Sequence, residues 1–166
     1  FTAMEIVMMG RNPYLTDTSI KQDIAIVEQA LNEVDAYQFK DRLFLTLSGG
    51  EQQRVQLARV LTQIWEQRDA ILFLDEPTSA LDLKHQHQIL ELANRLTAEK
   101  SMTVICILHD INLATHYTDQ TIMMLDGEIY KNGNSKEMLC TENIQHVYQL
   151  SDTMIDKFHL YNTQTA

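Results

Sequence analysis

The sequence predicts an α/β fold in which an all-helical region, residues 1–68, precedes a region with a parallel sheet, residues 69–166. Three observations carry this. Apolar residues recur at helical spacing through the first region. From Ala70 onward, short continuous apolar runs alternate with helical stretches. Five glycines and two prolines in 166 residues are too few for a turn-rich all-β chain, since glycine alone usually makes up about 7%.

Thr2 to Gly10 reads as a short helix with Met4, Ile6, Val7 and Met8 on its apolar side. Gly10 stands as its stop, and Pro13 follows shortly after. Ser19 is a candidate N-cap for the next helix. There Ile20, Ile24, Val27, Leu31 and Val34 recur at spacings of 4, 3, 4 and 3, a stripe expected to face the core. Ser48 opens a helix with Leu57, Leu61, Ile64 and Trp65 on one face. Ala70 to Leu74 and Thr103 to Leu108 are expected to be strands buried on both faces, with a helix from Leu83 to Lys100 between them. Asp110 to Tyr117 reads as a short helix and Thr121 to Leu125 as a third strand. Asp126-Gly127 then turns the chain into a hairpin over Glu128 to Lys131. The last 30 residues read as two short helices and a frayed strand. Met4 and Met8 are expected in the core or, second, on an adaptable partner-binding surface; Met123 and Met124 are expected in the core, and Cys106 as a small buried hydrophobe. Cys106 and Cys140 are too few for a disulfide framework.

Composition excludes several function classes. Lys and Arg number 13 and Asp and Glu 23, a net charge of −10. That balance argues against non-specific nucleic-acid binding, which needs clustered cations to neutralise phosphates. No stretch approaches the about 18 apolar residues of a membrane span, and no basic segment opens a signal peptide. The first residue is Phe1 rather than Met, which suggests a chain cut from a larger one.

Chemistry concentrates in four segments. In Leu47-Ser48-Gly49-Gly50-Glu51-Gln52-Gln53-Arg54, two adjacent glycines precede a strong helix. Glycines let a backbone approach a ligand closely, a helix start offers unpaired N–H groups to an anion, and Ser48 adds a hydroxyl. A docked phosphate fits; so does an ordinary Ser-capped helix. In Ile71-Leu72-Phe73-Leu74-Asp75-Glu76, two carboxylates end a strand, the edge where open α/β sheets bind ligands. Asp75 suits Mg²⁺ held through water, and Glu76 suits deprotonation of an attacking water. Alternatively, the pair caps a loop. Ser79-Ala80-Leu81-Asp82 follows, and His109-Asp110 follows the second strand. His85 and His87 lie two apart on a helix, diverge by about 200°, and do not form a chelate. Arg11 and Tyr14, taken alone, read as a solvated loop between helices.

In this order and spacing the four segments resemble the nucleotide-binding subunits of ABC transporters, over essentially the whole chain. Ser48-Gly49-Gly50 is similar to the family signature, Leu72 to Glu76 to the Walker B strand, Ser79 to Asp82 to the D-loop, and His109 to the switch histidine. Glu51 departs from the glutamine many members carry. The resemblance implies a P-loop NTPase-like ATPase core and a head-to-tail dimer with a second copy that traps two ATP molecules. Asp75 would place Mg²⁺, Glu76 would activate water, and His109 would steady the γ-phosphate. Ser48, Gly49, Gly50 and Glu51 would meet the partner's ATP in trans, and Asp82 would couple the two sites. Residues within 1–45 would dock on membrane permease subunits, at the cytoplasmic face of the inner membrane, with a substrate-binding protein acting indirectly.

Gly10-Arg11-Asn12-Pro13-Tyr14 resembles a stretch of the importers for iron-siderophore, haem and cobalamin. The runs Glu51 to Leu61, Gln63-Ile64-Trp65 and Pro77 to Asp82 resemble haemin importers in particular. No Gly-x-x-x-x-Gly-Lys-Ser/Thr phosphate loop occurs in the sequence, and the family's Gln-bearing switch loop is expected upstream of Phe1. The full protein is therefore expected to hydrolyse ATP and this chain alone is not. The alternatives are a soluble ABC-type ATPase of DNA repair or translation, and a non-catalytic fragment.

Overall fold

In the computed structural model, which describes residues 1–155, the chain opens with α1 (Ala3–Met8). A reciprocal pair starts this helix: Glu5 N–H donates to the Thr2 hydroxyl, and Thr2 N–H donates to the Glu5 carboxylate at 2.8 Å. The α-helix ends at Met8, with Met9 as its C-cap, beside the expected stop at Gly10, and the chain tightens into a 3-10 segment over Met9–Tyr14. A Cβ on Gly10 would lie 2.1 Å from Thr62 Oγ1 and 2.2 Å from the Arg59 carbonyl oxygen. Gly10 therefore also serves close approach to a later helix.

Ser19 caps α2 (Ile20–Glu33) by accepting from Gln22 N–H. Its buried side is Asp23, Ile26, Val27, Ala30 and Leu31. Ile20 and Ile24 are 68% and 37% exposed, so the expected stripe begins a turn too early. The inward place at that end belongs to Asp23, which pairs with buried Arg11. α3 (Gly49–Ile64) packs on α1 and α2, and Val7, Val27, Leu31, Val55 and Leu61 form the core between them.

β1 (Ile71–Asp75) and β2 (Thr103–Ile107) pair in parallel, Ile71 opposite Thr103 and Asp75 opposite Ile107. α4 (Leu83–Lys100) joins them. Leu72, Leu74, Val104 and Cys106 pack toward Ile89 and Leu92 of α4 in the same core. The burial of Cys106 pushes its thiol pKa up. Burial of these strands on both faces is not observed: Ile71 is 60% and Phe73 71% exposed, and Ile105 and Ile107 are exposed too. Side chains alternate across a strand, and among the described residues only the Leu72 face is covered by α4.

These elements form one compact unit ending at Ile107; a second begins at Leu108. In the second, Asp110 caps α5 (Ile111–Tyr117) by accepting from Asn112 and Leu113 N–H. β3 (Gln120–Leu125) and β4 (Glu128–Asn134) form an antiparallel hairpin with a register shift between Met123 and Met124. Asp126 and Gly127 at its turn both have positive φ, 53° and 82°, which the tight turn of a two-residue hairpin requires. Met123 is buried but Met124 is 59% exposed, so only one of the two belongs to a core. β3 pairs with β4 alone among the described residues. α6 (Ser135–Met138), α7 (Thr141–Tyr148) and α8 (Asp152–Ile155) follow, and the expected frayed strand lies outside the described residues.

Candidate functional site

α3 begins at Gly49 because Ser48 and Glu51 cap each other. Glu51 N–H donates to Ser48 Oγ, and Ser48 N–H donates to Glu51 Oε2 at 2.7 Å. That backbone N–H, followed by the Ser48 hydroxyl, holds the Glu51 carboxyl below the usual carboxylate range. An ionised carboxylate thus stands at a helix start, where it favours the helix dipole and opposes a second anion. The two glycines differ. A Cβ on Gly50 would fall 2.8 Å from the Ala80 carbonyl oxygen, whereas one on Gly49 would meet nothing within 4 Å. Gly50 is demanded by packing inside the chain. Gly49 faces open space and leaves the helix start approachable from outside.

The loop that Gly50 touches carries the acidic pair. Asp75 is exposed at the C-terminal tip of β1, and Glu76 is half-buried with φ +46°. A non-glycine residue in the left-handed region is strained by about 1–2 kcal/mol, and the surroundings hold it there. The Glu76 carbonyl accepts from Ser79 N–H at 3.2 Å, from Ser79 Oγ at 3.1 Å and from Gln53 Nε2 at 3.0 Å. Asp82 ends the loop as the N-cap of α4. It accepts from His85 N–H at 3.0 Å and lies 2.6 Å from His85 Nδ1, bonds that hold its carboxyl below the ordinary range. The other ring nitrogen of His85 is 3.4 Å from Asp35 Oδ2. Asp35 also accepts from Lys84 Nζ at 3.1 Å and, through its carbonyl, from Arg54 Nη1 at 2.6 Å. The Lys84 ammonium is the main cause of its lowered pKa.

Ser48 to Glu51 and Glu76 to Asp82 are therefore brought together by α3 itself, through residues 50 and 53 on one helix face. His109 belongs to the second unit. It is exposed, and with Asp110, Asn112, Tyr148, Leu150 and Met154 it lines a half-open cleft of about 470 Å³. His85 and His87 belong to no metal-holding cluster, and none of three or more His, Cys, Asp or Glu occurs among the described residues. Sequence reasoning missed Gln53 and His85. The signal for Gln53 was its spacing three residues after Gly50; His85 was three after Asp82. Arg11 is not solvated: it is fully buried. It donates to Asp23 Oδ1 at 2.8 Å, to the Thr62 carbonyl at 2.8 Å and to Glu66 Oε2 at 3.0 Å, and its guanidinium lies 4.2 Å from the Tyr14 ring centre.

Residues 3–79 match the sequence model of the ABC transporter family. The Hemin import ATP-binding protein HmuV of Hahella chejuensis is 44% identical over 158 residues, which are 93% of this chain and 60% of that protein. Among solved structures, an inward-facing metal-chelate type ABC transporter matches with a TM-score of 0.77 at 30% identity, over 90% of this chain and 59% of that one. The dimeric ATP-binding cassette MJ0796 bound to ADP and Pi matches with a TM-score of 0.72, also at 30% identity, over 81% of this chain and 57% of that one. The chain spans about 60% of the length of the curated relatives it matches.

Proposed function

We propose, from the premise that this chain belongs to the ABC transporter family, that it is the signature-bearing, water-activating part of a subunit that hydrolyses ATP to energise an importer. The cargo is haemin or a related iron chelate, a reading supported by the 44% identical hemin import protein and the metal-chelate type structural neighbour. One observation carries the mechanism: the open helix start at Ser48 and Gly49 is built against the loop that holds Glu76. Residues 1–68 serve as the helical signature region and 69–166 as the C-terminal part of the α/β core.

Glu76 accepts the proton of the water that attacks the γ-phosphate. His109 donates to a γ-phosphate oxygen. Ser48 and the N–H groups of Gly49 and Gly50 bind phosphate oxygens of ATP held by a second copy, a pairing supported by the dimeric state of the cassette MJ0796. Glu51 moderates that contact by its charge, and Asp82 couples the two sites. Asp75 is an exposed carboxylate at a strand tip, and Mg²⁺ takes one or two carboxylates with waters and phosphate oxygens. The donor set fits the ion, which when bound neutralises phosphate charge. Permease subunits bind residues within 1–45, a substrate-binding protein delivers the cargo, and nucleic acid plays no part. The subunit lies on the cytoplasmic face of the inner membrane. None of its described helices is long and apolar enough to cross it.

Phosphate release by the full-length protein and by the 166-residue chain tests the proposal. The full-length protein turns over ATP and the chain alone does not. Robust turnover by the chain would refute the division of labour.

A further inference from the structure

We infer that Gln53 is a positioning residue for Glu76, tying the start of α3 to the backbone that aims the water-activating carboxylate. This rests on the reading of Glu76 as the base. Three observations lead to it. First, the Glu76 backbone is in the left-handed region at φ +46°, a conformation that persists only where neighbours over-determine it. Its carbonyl accepts twice from Ser79, within the same turn. It also accepts from Gln53 Nε2 at 3.0 Å, which comes from another element. Second, the amide of Gln53 is poorly satisfied: its Oε1 is buried with no hydrogen-bond partner among the described residues. Leaving such an acceptor unpaired is unfavourable, so a side chain kept only for packing would be better as methionine. Third, one turn earlier on the same face, Gly50 meets the Ala80 carbonyl so closely that a Cβ would lie 2.8 Å away. α3 thus grips the Glu76 loop at two points, Glu76 by a hydrogen bond and Ala80 by direct packing.

The consequence is intramolecular coupling. A shift of the α3 start as it meets an anion is transmitted through Gln53 to the Glu76 carbonyl, and so to the direction of its carboxylate. Each copy would then sense the occupancy of one phosphate site at Ser48 and Gly49 and adjust its own base for the other.

The test uses the full-length protein with Gln53→Met and Gln53→Glu, each close to glutamine in size and lacking its amide donor. Glu76→Gln is measured in parallel. Misplacing a reacting group by about 1 Å can cost about a hundredfold in rate. The expected result is a kcat lowered about ten- to hundredfold in both Gln53 variants. The KM for ATP stays within about twofold and the melting temperature is not reduced in Gln53→Met. Full kcat in either Gln53 variant, with Glu76→Gln inactive, would overturn the inference and leave the reading of Glu76 standing. Turnover retained by Glu76→Gln would overturn that reading itself. A kcat loss that follows the melting temperature in both variants, or failure of both to fold, would show a structural role and also overturn the inference.

Discussion

Replacing Arg11 with methionine leaves Asp23 as a buried carboxylate without its cation. The two side chains are only 1% and 4% exposed and 2.8 Å apart, and removing one partner of such a pair costs about 3–5 kcal/mol. Thr18 Oγ1 still donates to Asp23 at 2.8 Å, which favours the lower half of that range. At about 2–4 °C per kcal/mol for a chain of this size, the melting temperature falls by roughly 6–20 °C. Glu66 provides the contrast, because it meets the same guanidinium at 3.0 Å but is 43% exposed. Glu66→Gln should therefore cost less than about 1 kcal/mol. Guanidinium unfolding of the chain, followed through its single tryptophan, Trp65, measures both. An Arg11→Met loss below about 1 kcal/mol, or equal losses for the two substitutions, would refute burial as the source of the difference.

Gly50→Ala forces a Cβ to 2.8 Å from the Ala80 carbonyl, so stability should drop by about 1–3 kcal/mol, the usual cost of overpacking. Gly49→Ala meets no atom; it should leave melting unchanged or raised, yet slow ATP turnover by the full-length protein. Glu51, Asp23 and Asp35 all have lowered folded pKa values. Their stabilisation is complete above the ordinary carboxylate range and is lost as pH falls through the folded values. Acid unfolding should show this, and Glu51→Gln should flatten the acid limb. Removing the Glu51 charge should also tighten nucleotide binding between copies, read as dimer formation with ATP.

Much of this was legible in the sequence because it is local. The Ser48 cap, the Ser19 cap and the positive-φ turn at Asp126-Gly127 depend on residues within three positions of each other. The Gly-Gly pair and the Asp75-Glu76 strand end could be located, but not what each glycine is for: Gly50 answers to Ala80, thirty positions on. Strand burial was misjudged because apolar composition does not say which face is covered, and Phe73 stays exposed beside buried Leu72. Arg11 looked solvated because its partners, Asp23, Thr62 and Glu66, are distant in sequence. Gln53 escaped notice for the same reason: its target is a backbone carbonyl, and a carbonyl has no residue type to read.

The proposed role of Glu76, held by its loop against α3, is to activate the water that cleaves ATP. Single-turnover hydrolysis by the full-length protein and its Glu76→Gln variant, with ATP binding measured alongside, tests it most directly. The variant is expected to bind ATP as tightly as the parent and not to release phosphate. Phosphate release at the parent rate from a variant that binds ATP normally would contradict it.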